Sequence, residues 1–311
     1  MKLAMVFPGQ GSQSVGMVQA YAGLPGVNEV LREAAAALGE EFVKLLGDGP
    51  VEALNSTLNT QPAMVTAGYA AYRAWGALGG PEPEVVAGHS LGEYTALVAA
   101  GAIAFADCLP LVRFRAQCMQ QAVPEGQGAM AAILNLEDEA VRAACAEAAQ
   151  GDVVQAVNFN APGQVVIAGG KAAVARAIEA CKARGAKRAL PLPVSAPFHC
   201  SLMQPAADRL RSYLESVALA APKLAVINNV DVQVRSEPAA IRDALVRQAA
   251  APVRWVETIR RMAQLGVTHV VECGPGKVLA GLTKRIDAGL TGFALADRAS
   301  LEQALAALKG G

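Results

Sequence analysis

The chain has 311 residues, of which 53% are hydrophobic and 17% charged, so it can bury a large core and lacks the composition of a disordered protein. Its 27 Lys and Arg residues balance 27 Asp and Glu residues, and this zero net charge excludes an overall field that would attract nucleic acid or an anionic membrane. The length predicts one large domain or two smaller ones.

In chain order, strand and helix patterns alternate over the first part of the sequence. Residues 2–7 (KLAMVF) have the pattern of a buried strand, and the loop PGQGSQ follows them. A second strand is predicted at 84–88 (EVVAG). Helices are predicted at 12–22, 27–38, 60–78, 90–100 and 106–122. Strands separated by helices in this order predict a parallel sheet with helices on its faces.

The middle of the chain has a different pattern. Strands are predicted at 128–134, 153–159, 163–169 and 187–192, with Asn160, Ala161 and Pro162 as the turn between the second and third, and helices at 136–149 and 172–184. This β-α-β-β-α-β order is that of a ferredoxin-like unit. Residues 124–126 (PEG) and the proline-rich segment 191–197 flank it as hinges. We therefore expect a small subdomain at 126–197, inserted into a discontinuous core of residues 1–125 and 198–311.

The last part of the chain returns to the first pattern. Helices are predicted at 202–217, 238–249, 254–265 and 277–286, and strands at 224–228, 267–272 and 291–295. The predicted fold class is therefore α/β, with a mostly parallel sheet flanked by helices and an inserted ferredoxin-like subdomain.

Targeting signals and paired cysteines are not found in the sequence. The N-terminal apolar run ends at Pro8, so it is not a signal peptide, and the uncharged stretch 94–106 is too short for a bilayer span of ~20 residues. The six cysteines have no paired spacing. This spacing favours reduced thiols in the cytoplasm and argues against a metal site.

The motif Gly88-His89-Ser90-Leu91-Gly92 lies between a predicted strand and a predicted helix. In a nucleophile elbow, such a tight turn needs glycines on both sides and exposes the serine hydroxyl at the edge of the sheet. The N–H of Leu91, at the start of the helix, is then placed to hold a developing oxyanion. The alternative is a serine that only caps a helix after a glycine-rich turn.

A nucleophilic serine needs a general base, and the chain has three histidines. His89 lies inside the elbow, where its side chain should point away from that of Ser90. His269 lies in a predicted strand, as a packed or edge residue would. His199, in a proline-flanked turn before a helix, is favoured by its position, although a structural role is open for all three.

The loop PGQGS after the first strand lies at the same edge of the predicted sheet as Ser90. A dinucleotide loop is disfavoured because Ser14 stands where the third glycine is required and no acidic residue follows at the expected distance. The glycines can instead let the N–H of Gln10 approach a substrate and complete an oxyanion hole.

Arg115 lies inside an apolar helical segment, and Arg113 should face another side of that helix. A buried arginine needs an anionic partner. Either Arg115 forms a structural salt bridge, or its planar guanidinium binds the carboxylate of a substrate.

Seven segments together resemble the malonyl-CoA:acyl carrier protein transacylases of bacterial fatty acid synthesis, which are related to polyketide synthase acyltransferase domains. They are FPGQGSQ, GHSLGEYTAL, RFRAQCMQ, NFNAPGQVVIAG, PVSAPFH, PVRW and ECGPGKVLAGLTKR, and the resemblance runs from residue 1 to about residue 308. It implies an α/β-hydrolase-like core with a ferredoxin-like insertion.

The resemblance implies a role for each matching position. Ser90 would become malonylated, with His199 as its general base and then acid, and the backbone carbonyl of Gln248 would orient the imidazole. The N–H groups of Gln10 and Leu91 would form the oxyanion hole.

The resemblance also implies residues that select the substrate. Arg115 would bind the malonyl carboxylate, and Asn160 would lie near the substrate. Phe198, with Leu91, is similar to the malonyl-selecting pattern of polyketide acyltransferases, in which a bulky ring excludes a branching methyl group.

The implied reaction uses malonyl-CoA and acyl carrier protein, with no metal or redox cofactor, no nucleic acid and no membrane, and we expect a monomer. Acyl carrier proteins are acidic, so Lys187, Arg188, Lys284 and Arg285 are candidate docking residues, unless they are ordinary solvated side chains. A serine thioesterase or esterase is the main alternative, and a non-catalytic docking subunit is a third. A polyketide or malonate decarboxylase pathway is open as well.

Overall fold

A computed structural model describes residues 1–309 and shows nine strands and thirteen α-helices within that range. The strands are β1 (Leu3–Phe7), β2 (Val85–Gly88), β3 (Gly128–Leu134), β4 (Val154–Ala161), β5 (Gln164–Gly170), β6 (Arg188–Pro191), β7 (Ala225–Ile227), β8 (His269–Cys273) and β9 (Thr291–Leu295). The helices are α1 (Val27–Leu38), α2 (Glu40–Asp48), α3 (Val51–Asn55), α4 (Thr57–Ala77), α5 (Gly92–Ala99), α6 (Phe105–Gln121), α7 (Asp138–Ala149), α8 (Lys171–Ala183), α9 (Gln204–Glu215), α10 (Pro238–Ala249), α11 (Trp255–Gln264), α12 (Val278–Ile286) and α13 (Arg298–Lys309).

Five strands form the main sheet in the order β7-β2-β1-β8-β9, and all four pairings are parallel. Along β1, Leu3, Met5 and Phe7 pack into one apolar cluster, whereas Ala4 and Val6 pack into another. Both faces of the sheet are therefore buried, as helices on both sides require. Because the strands are parallel, the loops after β1, β2, β7 and β8 all leave from one edge.

The remaining four strands form an antiparallel sheet in the order β4-β5-β3-β6. Helices α7 and α8 cover one face, and Met130 and Val157 on the other face pack with Cys200, one residue after His199. The α/β class and the β-α-β-β-α-β order predicted from the sequence are confirmed. The division into a core of 1–125 and 198–311 and a subdomain of 126–197 is a proposal that this second sheet supports.

The two sheets meet beside the segment that follows α10. Asn158 of β4 forms an isolated parallel bridge with Val253, where the Phe159 N–H donates to the Val253 carbonyl over 3.0 Å. The Gln155 side chain also accepts a hydrogen bond from the Ser201 N–H at 2.7 Å. The small sheet therefore supports the chain near His199 and Gln248.

Local sequence explains several helix starts. Helix α7 carries Asp138 and Glu139 in its first turn, where acidic side chains complement the exposed N–H groups of the helix. Helices α9 and α10 each have proline at one of their first two positions, where its missing N–H costs no hydrogen bond.

Two local predictions were wrong, and three helices were missed. The helix predicted at 12–22 is reduced to a 3-10 turn at Gln19–Tyr21, because Gly16 within it has a positive φ angle of 83° that an α-helix does not permit. Helices α2 and α3, and the C-terminal helix α13, were missed. Strand β4 continues to Ala161, so the predicted turn residues Asn160 and Ala161 belong to the strand.

No helix within residues 1–309 is long and apolar enough to cross a membrane.

Candidate active site

Ser90 lies on the turn between β2 and α5, at the edge of the main sheet where the parallel strands end. Its φ angle is +52°, a strained value for a residue other than glycine. A Cβ atom at Gly88 would lie 1.8 Å from the backbone of Gly92, and one at Gly92 would lie 2.0 Å from the Phe7 carbonyl oxygen. The turn is therefore closed too tightly for side chains on either side, as a nucleophile elbow requires.

Asn229, a buried residue in the loop after β7, holds this turn from outside the motif. Its Oδ1 accepts a hydrogen bond from the Ser90 N–H at 2.8 Å, and its Nδ2 donates to the Gly88 carbonyl at 2.7 Å. This residue was not predicted from the sequence. The one sequence feature that marks it is a pair of asparagines directly after a strand, at the edge of the sheet that carries Ser90.

His199 approaches Ser90 from the segment before α9. Its Nε2 lies 2.6 Å from the Ser90 Oγ, and its Nδ1 lies 2.9 Å from the Gln248 carbonyl oxygen. A carbonyl can only accept a hydrogen bond, so Nδ1 carries the proton and donates it. The lone pair of Nε2 is therefore free to accept the hydrogen bond of the serine hydroxyl, which is the geometry of a nucleophile and its base.

The surroundings of His199 keep its imidazole neutral. The side chain is only 4% exposed, and this burial, together with the positive charge of Arg115, lowers the pKa of His199 to about 3. The Gln248 carbonyl acts in the opposite direction but does not outweigh burial. A neutral imidazole is the form that can take a proton from Ser90.

The low pKa of His199 predicts that Ser90 stays reactive at a lower pH than a serine with an ordinary histidine base. The imidazole accepts a proton only above its pKa, so lowering that pKa moves the loss of reactivity to lower pH. We expect modification of Ser90 by the uncharged reagent phenylmethylsulfonyl fluoride to keep its rate from about pH 8 to about pH 5, whereas an ordinary histidine would lose about thirtyfold over that range. Circular dichroism at each pH controls for unfolding. An acid limb near pH 6.5 would contradict the assignment.

Arg115 on α6 is only 2% exposed and points at the same serine. Its Nη1 donates to Gln61 Oε1 at 2.8 Å, and its Nη2 donates to Gln248 Oε1 at 3.0 Å and to the Ser90 Oγ at 3.3 Å. Its Nε has no partner in the part of the chain that the structure describes. No Asp or Glu oxygen between residues 1 and 309 lies within 4.0 Å of the guanidinium, so the structural salt bridge considered above is not formed.

The two predicted oxyanion donors lie on neighbouring loops. A Cβ atom at Gly9 would lie 2.7 Å from the His89 carbonyl oxygen, so the loop after β1 presses directly against the elbow. The Gln10 side chain accepts hydrogen bonds from Thr57 Oγ1 at 2.8 Å and from Gln61 Nε2 at 3.1 Å. The Ser90 N–H is bound to Asn229, whereas the Leu91 N–H lies at the start of α5, a position that is compatible with its predicted role as an oxyanion donor.

Asn160 and Phe198 lie at the border between the two sheets. The Asn160 Oδ1 is 2.7 Å from the Nε2 of His89, whose ring also packs against Trp255 with centroids 5.5 Å apart. The His89 side chain is therefore turned away from Ser90, and Asn160 reaches the elbow through it. Phe198 is half-buried between the main core and the small sheet.

The four candidate docking residues, Lys187, Arg188, Lys284 and Arg285, are exposed and form no ion pair within residues 1–309. In the small sheet Leu134 pairs with both Gln164 and Arg188, and Arg285 of α12 donates to Gln164 Oε1 at 2.8 Å. The two basic pairs, distant in sequence, therefore lie around one end of the small sheet, next to the β4 end that carries Asn160. Lys182 and Arg184 instead pair with Glu179 and Glu147.

No group of three His, Cys, Asp or Glu residues in the described range could hold a metal ion. His269 lies away from the site, beside Thr268 and Phe293. The arrangement around Ser90 combines a serine hydroxyl, a neutral imidazole and a buried guanidinium, which suits the transfer of an acyl group that carries a negative charge.

Comparisons with known proteins agree with this chemistry. The family profile of the acyl transferase domain matches residues 4–289. The chain is 56% identical over 305 residues to the malonyl CoA-acyl carrier protein transacylase of Salmonella typhimurium, covering 98% of this chain and 99% of that protein. It is similar to the solved acyl-carrier-protein S-malonyltransferase of Burkholderia pseudomallei, with 66% identity, a TM-score of 0.96 and coverage of 98% and 100%. It is also similar, with 52% identity, a TM-score of 0.97 and coverage of 99% and 100%, to a malonyl-transacylase solved with its type II polyketide synthase acyl carrier protein.

Proposed function

The chain belongs to the acyl transferase domain family, among the malonyl-CoA:acyl carrier protein transacylases, and from this premise we propose that Ser90 carries the malonyl group between the two thiols. The enzyme is an acyltransferase that moves malonyl from malonyl-CoA to acyl carrier protein. We propose that it supplies extender units for fatty acid synthesis. The observation that carries the assignment of roles is Arg115, a buried cation 3.3 Å from the Ser90 Oγ and with no carboxylate partner among residues 1–309.

In the acylation step His199 Nε2 takes the proton of Ser90 as its oxygen attacks the thioester carbonyl of malonyl-CoA. The N–H groups of Gln10 and Leu91 hold the negative charge that develops on the carbonyl oxygen. The intermediate then collapses, the C–S bond breaks, and the imidazolium returns the proton to the CoA thiolate. The Gln248 carbonyl keeps the protonated imidazole oriented throughout.

The second step reverses the first with a different thiol. The phosphopantetheine thiol of acyl carrier protein gives its proton to His199 and attacks the malonyl ester, and Ser90 leaves with the proton back on its oxygen. This exchange between thioester and ester changes no oxidation state and needs no cofactor in its balance. We also propose that the protein is a monomer in the cytoplasm. The six buried free cysteines support this compartment, because the cytoplasm keeps thiols reduced.

Selection for malonyl follows from the charge of Arg115. The malonyl carboxylate pairs with the guanidinium, whereas acetyl or a longer neutral acyl group would leave a buried cation without an anion. Phe198 beside His199 is proposed to limit the space for a branching methyl group. A missing or extra methylene changes binding by only ~1–3 kcal/mol, so discrimination against methylmalonyl should be the weaker of the two.

The assay that tests this function follows label from malonyl-, methylmalonyl- and acetyl-CoA to a holo acyl carrier protein, beside release of free acid without carrier. We expect rapid malonyl transfer, slower methylmalonyl transfer, slow acetyl transfer and little release of malonate. Release of malonate at the transfer rate without carrier would instead indicate a thioesterase. No transfer and no release would indicate a docking subunit without catalysis.

Reversing the charge of Lys187 and Arg188 should weaken recognition of the acidic carrier. We expect the Lys187→Glu/Arg188→Glu variant to raise the KM for acyl carrier protein about three- to tenfold, with little change in kcat/KM for malonyl-CoA, because the residues lie outside the acyl pocket. Steady-state transfer at low ionic strength measures both. Lys223→Glu is the matched control, since this exposed lysine precedes β7 at the opposite edge of the main sheet. An unchanged carrier KM would count against these residues.

A further inference from the structure

Glu93 is a buried acid close to Ser90, and it has no role in the mechanism described above. It lies on the first turn of α5, three residues after Ser90, and is only 2% exposed. One of its oxygens, Oε2, accepts two hydrogen bonds, from the Asn229 N–H at 2.9 Å and from Gln248 Nε2 at 2.9 Å. Glu93 forms no ion pair in the part of the chain that the structure describes, and it is the acceptor in both of these hydrogen bonds.

The Gln248 side chain is the element that Glu93 holds. Its Nε2 donates to Glu93 Oε2 and to the Ser90 carbonyl, each at 2.9 Å, and its Oε1 accepts from Arg115 Nη2 at 3.0 Å. The carbonyl and the carboxylate can only accept, while the guanidinium can only donate. The amide therefore has one satisfied orientation, with its nitrogen toward Glu93 and its oxygen toward Arg115.

We propose that Glu93 is a positioning residue: by accepting from the Gln248 amide, it keeps the amide oxygen on Arg115 and so aims the guanidinium at the acyl carboxylate. This proposal deepens the proposed function and rests on it. Without Glu93 the amide loses one of its two acceptors and can rotate, and Arg115 loses a fixed partner on the Gln248 side. Glu93 then contributes to the choice of malonyl over neutral acyl groups although it touches neither.

The protonation of Glu93 is compatible with this role. Burial raises the pKa of Glu93 to about 7, while the hydrogen bonds from Gln248 and Asn229 oppose that rise. Either form retains an oxygen lone pair for the amide. Glutamine, an uncharged isostere with an accepting oxygen, should therefore be able to take the place of Glu93 in holding the Gln248 amide.

The test compares Glu93→Ala with Glu93→Gln by measuring kcat/KM for malonyl-CoA and for acetyl-CoA, with acyl carrier protein as the acceptor. We expect Glu93→Ala to lower malonyl transfer about tenfold more than acetyl transfer. The reason is that the hydrogen bond from the charged Arg115 to the Gln248 amide is weakened, and only malonyl needs the guanidinium. Glu93→Gln should restore most of the malonyl preference, since its amide oxygen can accept both hydrogen bonds. Equal losses for the two substrates in a folded Glu93→Ala protein, or a Glu93→Gln variant as impaired as Glu93→Ala, would overturn the proposal.

A second variant covers the case in which Glu93→Ala does not fold. Gln248→Leu removes the amide while keeping the backbone carbonyl that holds His199, so it should cause the same loss of malonyl preference. In the double variant the Glu93 change should then add little, because Glu93 acts through an amide that is already absent. An unchanged preference in Gln248→Leu overturns the proposal. The unaltered protein, assayed first, separates this outcome from failure of the proposed function, which would show as no malonyl transfer at all.

Discussion

Replacing Ser90 with alanine should remove the malonyl-enzyme and lower malonyl transfer by at least about 10⁴-fold, because the remaining groups have no atom to acylate. Intact-mass analysis after mixing with malonyl-CoA should show the added malonyl group in the unaltered protein and none in the variant. Transfer of label to acyl carrier protein measures the loss of rate. Ser236→Ala, at an exposed position outside the site, is the matched control and should acylate normally.

The same experiment with His199 tests whether nucleophile and base act as one unit. His199→Ala should lose a similar factor, since the 2.6 Å contact between its Nε2 and the Ser90 Oγ is the only route for the hydroxyl proton to a side-chain base among the described residues. The double variant should then be little worse than either single one, as in other catalytic units. Losses that multiply in the double variant would show that the two residues act independently. A malonyl adduct that persists in Ser90→Ala would place the nucleophile elsewhere.

Much of the fold could be predicted from local sequence. β1, β2 and the strands of the small sheet are short apolar runs bounded by turn residues, and their order alone predicts two sheets. The failures are also local in origin. Helix α13 has an ordinary amphipathic pattern, but no helix was predicted there. The prediction of a helix at 12–22 did not take account of Gly11 and Gly16, whose backbone conformation depends on the loop that they close.

The site was predictable only in part. Ser90 is found from its glycines, and Arg115 from its place in an apolar helix, because both signals lie within a few residues. His199 was favoured over the two other histidines by its position, but a structural role stayed open for all three until the resemblance to a family was added. Asn229 and Gln61 were missed because their roles are contacts across 139 and 54 residues of sequence, which no local pattern records.

Removing the guanidinium of Arg115 should change which acyl group the enzyme prefers. For Arg115→Ala we expect kcat/KM for malonyl-CoA to fall about 10²- to 10³-fold, since truncating one partner of a buried charged pair costs about 2–5 kcal/mol. Transfer from acetyl-CoA should stay the same or rise, because a neutral acyl group would no longer face a buried cation without an anion. The Arg115→Lys variant should recover little of the malonyl transfer that Arg115→Ala loses, because lysine cannot offer the planar pair of donors.

The matched control is Arg113→Ala, two residues away on another side of α6, where the guanidinium lies over the ring of Phe42 at 5.4 Å from its centroid. That change removes an equal charge from the same helix and should leave the ratio of malonyl to acetyl transfer unchanged. Competition between the two CoA esters measures the ratio directly. Arg115 is also within hydrogen-bonding distance of the Ser90 Oγ and lowers the pKa of His199, so its loss acts on the base as well as on binding. If malonyl and acetyl transfer fell together, the cation would serve the catalytic pair rather than the choice of substrate, and the carboxylate clamp would be wrong.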